Sequence, residues 1–266
     1  MFKKIYICIF LLLLPVVLFS GCGKKSENIT LAGSTAFQPF AEKLAEEYMK
    51  KNAGVSINVQ GGGSSMGIQS AISGVANIGM ADMVALPPEA NTLKQYVVAR
   101  DGIVIIIHPS NTISNLTTQQ AQKIFSGEIT NWQEVGGENK KITIISREEG
   151  SGTRTSFHAL LLQDIKLTSN ALIQESNGTV RENVSSDPGA IGYISHGMVN
   201  EKVKVISLDG IEPTTENTRT GAYRLIRPIY LLTKSEPMGL AKSFIDYILS
   251  SDGQGIIESS GLFSAK

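Results

Sequence analysis

Cysteine is nearly absent from this chain of 266 residues, which holds only Cys8 and Cys22. No Cys/His cluster with metal-ligand spacing occurs, so no metal site is expected. The 24 basic and 24 acidic residues balance, and no run of Lys or Arg forms the footprint that nucleic acid or an anionic surface requires. There is no G-x-x-x-x-G-K-[ST] loop, which excludes ATP hydrolysis by this chain, and no motif asks for a cofactor. Long apolar runs are also missing after the first twenty residues, so no membrane span is expected there.

What the N-terminus does have is distinctive. Lys3 and Lys4 precede an apolar run from Ile5 to Phe19, followed at once by Ser20-Gly21-Cys22. At about 15 residues the run falls short of the ~20 needed for a spanning helix, so residues 1–21 read as a signal peptide. Ser20-Gly21-Cys22 resembles the lipobox of bacterial lipoproteins, with Phe19 where Leu is preferred. An ordinary signal peptide with an incidental cysteine is the alternative. Cys22 would otherwise be a lone thiol in an exported chain, and lipidation accounts for it. The 245 residues left carry 22 basic against 24 acidic groups, a net charge of −2. Residues 22–28 read as a polar tether.

Order is expected from Ile29. Ile29 to Ala32 reads as a strand, and Phe37, Phe40, Ala41, Leu44, Ala45 and Tyr48 then recur at helical spacing. Val55, Ile57 and Val59 alternate as in a strand, Gly61-Gly62-Gly63 break it, and Ser64 opens a second helix. A strand from Asn77 to Ala81 leads to Asp82, and Ile103 to Ile107 reads as a buried strand. In the second half a helix is capped at Thr117, and a strand from Ile142 to Ile145 runs into Gly150-Ser151-Gly152-Thr153 and another helix. Repeated strand, glycine turn and helix predict an α/β fold with mostly parallel sheets.

Three of these turns share one device. Gly33-Ser34-Thr35-Ala36, Gly63-Ser64-Ser65 and Gly150-Ser151-Gly152-Thr153 each place glycines and hydroxyls where a helix begins. Free N–H groups and the positive end of the helix dipole make such a terminus an anion site. Taken singly, each is equally well a helix cap. Three converging could bind a dehydrated oxyanion.

These runs, with Ile78-Gly79-Met80-Ala81-Asp82, Arg147-Glu148-Glu149, Gly127-Glu128-Ile129-Thr130-Asn131-Trp132, Ser176-Asn177-Gly178 and Pro188-Gly189-Ala190-Ile191-Gly192-Tyr193, resemble the phosphate-binding proteins of ABC-type phosphate uptake. The resemblance covers essentially the whole chain after the leader. It implies a two-lobed periplasmic-binding-protein fold of type II, each lobe a mixed, mostly parallel sheet flanked by helices. Lobe 1 is expected over 29–108 plus 226–266 and lobe 2 over 109–225, with crossings near His108 to Ser110 and Tyr223 to Pro228. The implied ligand is inorganic phosphate, bound by Ser34, Thr35, Ala36 and Ser64, by Asp82 and Arg147, and by Ser151, Gly152 and Thr153. The implied partners are an ABC permease and its ATPase, with the chain outside the cytoplasm on a lipid anchor at Cys22. An acidic residue at the place of Glu149 steadies the arginine in that family. Ala36 stands where longer members carry an aromatic residue, and Phe37 comes one position later.

A carboxylate in an anion site needs a reason. Ionised Asp82 only accepts, so it repels a bare oxyanion but takes a bond from one that keeps a proton. Phosphate near neutral pH keeps at least one and sulfate none, which makes Asp82 the expected selectivity element; a turn aspartate is the plainer alternative. Arg147 can hold two oxygens with its fork, or pair with Glu148 or Glu149.

Two other functions fit parts of the sequence. The glycine turns alone suit sulfate or molybdate. Gly63-Ser64-Ser65-Met66-Gly67 matches the G-x-S-x-G elbow, which would make Ser65 a nucleophile with His108, His158 or His196 as base and Asp187 or Asp82 as its partner.

Overall fold

The structure is a computed structural model that describes residues 27–265. The signal peptide and Cys22 lie outside the described residues. The chain runs β1 (Glu27–Gly33), α1 (Gln38–Lys51), β2 (Val55–Gln60), α2 (Ser64–Ser73), β3 (Ile78–Ala81) and β4 (Lys94–Ile107). It continues through β5 (Asn115–Leu116), α3 (Thr118–Ser126), β6 (Thr143–Arg147), α4 (Gly152–Phe157), β7 (Leu172–Gln174), α5 (Asn177–Ser186), β8 (Ala190–Ser195), β9 (Lys204–Val205), β10 (Ser207–Leu208) and α6 (Thr215–Arg219). It closes with β11 (Ile226–Thr233), α7 (Gly239–Leu249), α8 (Ser251–Ser259) and β12 (Phe263–Ser264).

Two lobes share one sheet in the order β2-β1-β3-β11-β4-β8-β6-β7. At one end β1 is parallel to β2 and β3; at the other β6 is parallel to β7 and β8. Between them β11 and β4 run antiparallel to their neighbours. The two-lobed α/β expectation is borne out, with mixed sheets as foreseen.

Three boundaries differ from the sequence reading. Glu27 and Asn28 are exposed, yet their backbones extend β1 by pairing with Val55 and Ser56, so part of the expected tether is strand. The strand read as Ile103 to Ile107 begins at Lys94, because Arg100 and Asp101 interrupt its apolar pattern without interrupting its ladder. Residues 94–102 of β4 pair with β11, whereas Ile103 to Ile107 pair with β8. The chain therefore changes lobe inside a strand, between Gly102 and Ile103, rather than near His108 to Ser110. On the return, Leu225 belongs to one core and Ile229 to the other.

Each lobe has its own core. Leu31, Phe37, Leu44, Met80, Phe244 and Ile248 fill the first, where α1 turns the predicted apolar face onto the sheet. The second is built on aromatics: Phe157 stacks on Tyr193 at 3.8 Å, and Phe125 meets Phe157 edge-on at 4.8 Å. Burying a side chain of this size stabilises by ~2–3 kcal/mol. Tyr193 also hydrogen-bonds Ser146 at 2.8 Å, so this cluster grips both α4 and the end of β6, the two elements that carry the second half of the site. In lobe 1 the comparable grip is a glycine contact: a Cβ on Gly67 would lie 2.8 Å from the Ala32 carbonyl oxygen, so α2 can lie against β1 only without one.

Candidate functional site

Lobe 1 presents the ends of β1 and β3 and the start of α2. The Ser34 hydroxyl accepts from the Phe37 N–H at 3.0 Å, and its own N–H donates to Met80. Ser34 thus caps the turn. The N–H groups of Thr35 and Ala36 have no acceptor among the described residues. Phe37 is fully buried in the lobe 1 core, so the displaced aromatic packs inward and leaves small Ala36 at the turn.

Ser64 opens α2, and its hydroxyl does two jobs. It donates to Asp82 Oδ1 at 2.5 Å and accepts from the Asp82 N–H at 3.1 Å. Asp82 is almost completely buried, and its Oδ2 is ion-paired with Arg227 Nη2 at 2.7 Å.

Lobe 2 presents the end of β6 and the start of α4. Ser151 caps α4 by accepting from Arg154 N–H at 3.2 Å, and the N–H groups of Gly152 and Thr153 have no acceptor among the described residues. Asn177 donates to Thr153 Oγ1 at 3.4 Å while accepting from the Ser195 N–H at 2.9 Å, which orients the threonine. Arg147 is 1% exposed. Its Nε and Nη2 form a fork on Glu148, both at 2.9 Å, and Nη2 also donates to Thr35 Oγ1 at 3.2 Å. Its Nη1 is buried and donates to nothing.

The acidic partner of Arg147 is therefore Glu148. Glu149 has a side chain 94% exposed and comes no nearer to a cation than 3.9 Å, to Arg154. Its place on the outside of the turn keeps it from the buried guanidinium.

The two halves meet directly. Ser65 N–H donates to the Gly150 carbonyl at 3.1 Å, Val84 N–H donates to Ser156 Oγ at 3.1 Å, and Arg147 reaches Thr35. A Cβ on Gly152 would lie 2.5 Å from Asp82 Oδ1 and 2.6 Å from its carbonyl oxygen. The structure is thus a closed form in which Thr35 meets Arg147, and Gly152 meets Ser64 and Asp82, across the cleft.

Sequence reading missed what lies beneath Asp82. Arg227, fully buried on β11, donates through Nε at 3.2 Å and Nη2 at 2.7 Å to Asp101 Oδ2, and through Nη1 to the Asp82 carbonyl at 3.0 Å. Asp101 also accepts from Ser195 Oγ at 2.9 Å. Burial pushes the Asp101 carboxyl above the usual carboxylate range, and the Arg227 charge opposes that. The signal was present: Arg227 and Asp101 are charges set among residues that otherwise read as buried strand.

The nucleophile elbow has no partner. Ser65 is exposed and bonds to no histidine among the described residues. His108 pairs with Ser110, His196 with the Gly261 carbonyl, and Asp187 holds the Gly189 N–H in a turn. Among the described residues no group of acidic, His or Cys side chains is placed to hold a metal.

Comparison with known proteins places this geometry. Residues 21–252 match the model of the PBP superfamily domain. The chain is 35% identical to the phosphate-binding protein PstS of Bacillus subtilis, over 87% of this chain and 78% of that one. Among solved structures, a Clostridium perfringens chain described as a phosphate ABC transporter substrate-binding protein, with bound phosphate, is 38% identical with a TM-score of 0.87, covering 90% of this chain and all of that one. An ABC-type phosphate transport receptor from Vibrio cholerae is 35% identical with a TM-score of 0.73, covering 88% and 99%. A closed, two-lobed chain with glycine and hydroxyl turns on both lips, matched over nearly its whole length, belongs to the PstS-type phosphate-binding proteins of the PBP superfamily.

Proposed function

We propose that this chain binds inorganic phosphate between its lobes and hands it to an ABC importer, working outside the cytoplasm on a lipid anchor at Cys22. One observation carries the ligand assignment. The closed site contains two buried polar atoms of opposite kind with capacity left for a ligand: Arg147 Nη1, which can only donate and has no acceptor, and Asp82 Oδ2, which is ion-paired with Arg227 at 2.7 Å and has a second lone pair. A buried unsatisfied donor costs about 1–3 kcal/mol, so a ligand that accepts from Arg147 and also gives a proton to Asp82 is favoured. It must offer a lone pair to the arginine and a proton to the aspartate. Monoprotonated or diprotonated phosphate does both; sulfate and molybdate lack the proton.

In this reading Thr35 and Ala36 bind from the first turn, Ser64 and Asp82 from the second and third strand ends, and Arg147, Gly152 and Thr153 from lobe 2. Ser34 and Ser151 contribute by capping. Closure follows from binding, because only the closed form brings both sets of donors to one ligand. The permease partner and its ATPase follow from the family and from the closed form as the state to be recognised.

Calorimetric titration with phosphate, alone and in a large excess of sulfate, tests the assignment. Tight binding little affected by sulfate is expected. In Asp82→Asn the preference should fall at least tenfold, because an amide donates to an unprotonated oxygen. Sulfate competing at concentrations near those of phosphate in the unsubstituted protein would overturn the role given to Asp82.

A further inference from the structure

Asp82 can discriminate only while its buried charge is balanced and an acceptor stays free. The arrangement around Arg227 meets both. Arg227 Nη2 lies 2.7 Å from Asp82 Oδ2, an ion pair that balances the buried carboxylate. Three of the five guanidinium hydrogens go to Asp101 Oδ2, through Nε and Nη2, and to the Asp82 carbonyl, through Nη1. The Asp82 Oδ2 facing Nη2 has two lone pairs, so this ion pair leaves one for a ligand. Oδ1 is occupied by Ser64, so Oδ2 is the acceptor left for a ligand.

We propose that Arg227, aimed by Asp101, is a positioning residue for anion selectivity: it balances the Asp82 charge and fixes its carboxylate and carbonyl while leaving one Oδ2 lone pair for the ligand, and so sets the preference for an oxyanion that carries a proton. The inference rests on the phosphate reading above. Without Arg227 the buried Asp82 charge has no balancing cation and its carboxylate and carbonyl lose the group that holds them, so the acceptor aimed at the ligand proton is lost and discrimination against sulfate falls. Asp101 plays a different part. It orients the guanidinium and is held from lobe 2 by Ser195, but it does not face the ligand acceptor.

The test is the ratio of sulfate to phosphate dissociation constants, measured by calorimetry in the full chain. The unsubstituted protein comes first: no phosphate preference there overturns the phosphate reading itself. Given that preference, Arg227→Gln should lower the ratio at least tenfold, and Arg227→Lys, which keeps the charge, should restore most of it. Asp101→Asn should leave the ratio within about threefold, since the cation remains. If Arg227→Gln does not fold, the double variant Asp101→Asn/Arg227→Gln, which removes the cation together with the anion it balances, should show the same fall. A residue that only supports the fold weakens both anions together. A ratio unchanged within threefold in the folded variant, whatever the loss of affinity, would overturn the role of Arg227 while leaving phosphate binding intact.

Discussion

The two lips of the cleft solve the same electrostatic problem with opposite signs. Lobe 2 offers a buried cation, Arg147, already balanced by Glu148; lobe 1 offers a buried anion, Asp82, balanced by Arg227. Each partner takes up the charge and leaves capacity for a ligand, the free Nη1 on one side and a second lone pair of Oδ2 on the other. With two guanidiniums against three carboxylates, the site has no net positive charge to offer an anion. Binding therefore depends on directed N–H groups and helix starts, not on a general attraction. Such a site gains selectivity, because a wrong anion meets groups that are charged and aimed rather than merely attractive.

The comparison breaks most severely on the lobe 2 side. Arg147→Met removes the free donor and leaves Glu148 without its cation, so phosphate affinity should fall about 10³-fold, or about 4 kcal/mol. Calorimetry decides it; a loss under tenfold would mean that Arg147 serves the Glu148 pair and not the ligand. Next comes Gly152→Ala. The added methyl meets Asp82 across the cleft, so it should hinder closure and cost on the order of 10² in affinity by the misplacement of the two halves. Melting temperature without phosphate should scarcely change, since alanine suits a helix start. Small-angle scattering should show the compaction on adding phosphate reduced, and full compaction would remove Gly152 from the closure argument.

Much of this was legible in the residues. The glycine and hydroxyl turns announced themselves, because a strand end, a tight turn and a helix start leave local marks in sequence. Asp82 ends an apolar strand, but its role came from the family resemblance. Arg227 and Asp101 were not found, because their meaning arises only when β11 is laid beside β4, more than a hundred residues apart in the chain. The change of lobe at Gly102 was missed for a related reason: β4 keeps one unbroken ladder while exchanging its neighbour, and no turn residue marks the exchange. Ser34 and Ser64 were correctly placed at the turns, but sequence could not say that their hydroxyls would be engaged by Phe37 and Asp82.

The adjacent acids Glu148 and Glu149 show the same limit and give the smallest contrast to measure. Family likeness pointed to Glu149, two residues after the arginine, while the structure puts Glu148 on the guanidinium fork and Glu149 in solvent. Glu148→Gln keeps the shape but removes the charge that orients Arg147. A partly exposed charged hydrogen bond is worth about 1–2 kcal/mol, so phosphate affinity should fall roughly tenfold. Glu149→Gln removes only an exposed charge 3.9 Å from Arg154, and affinity should stay within about twofold. Removing a negative charge beside an anion site could instead tighten binding if net charge governed it. A gain in affinity for Glu148→Gln would mean that net charge matters more than the aim of Arg147, and a loss confined to Glu149→Gln would move the orienting role one residue along the turn.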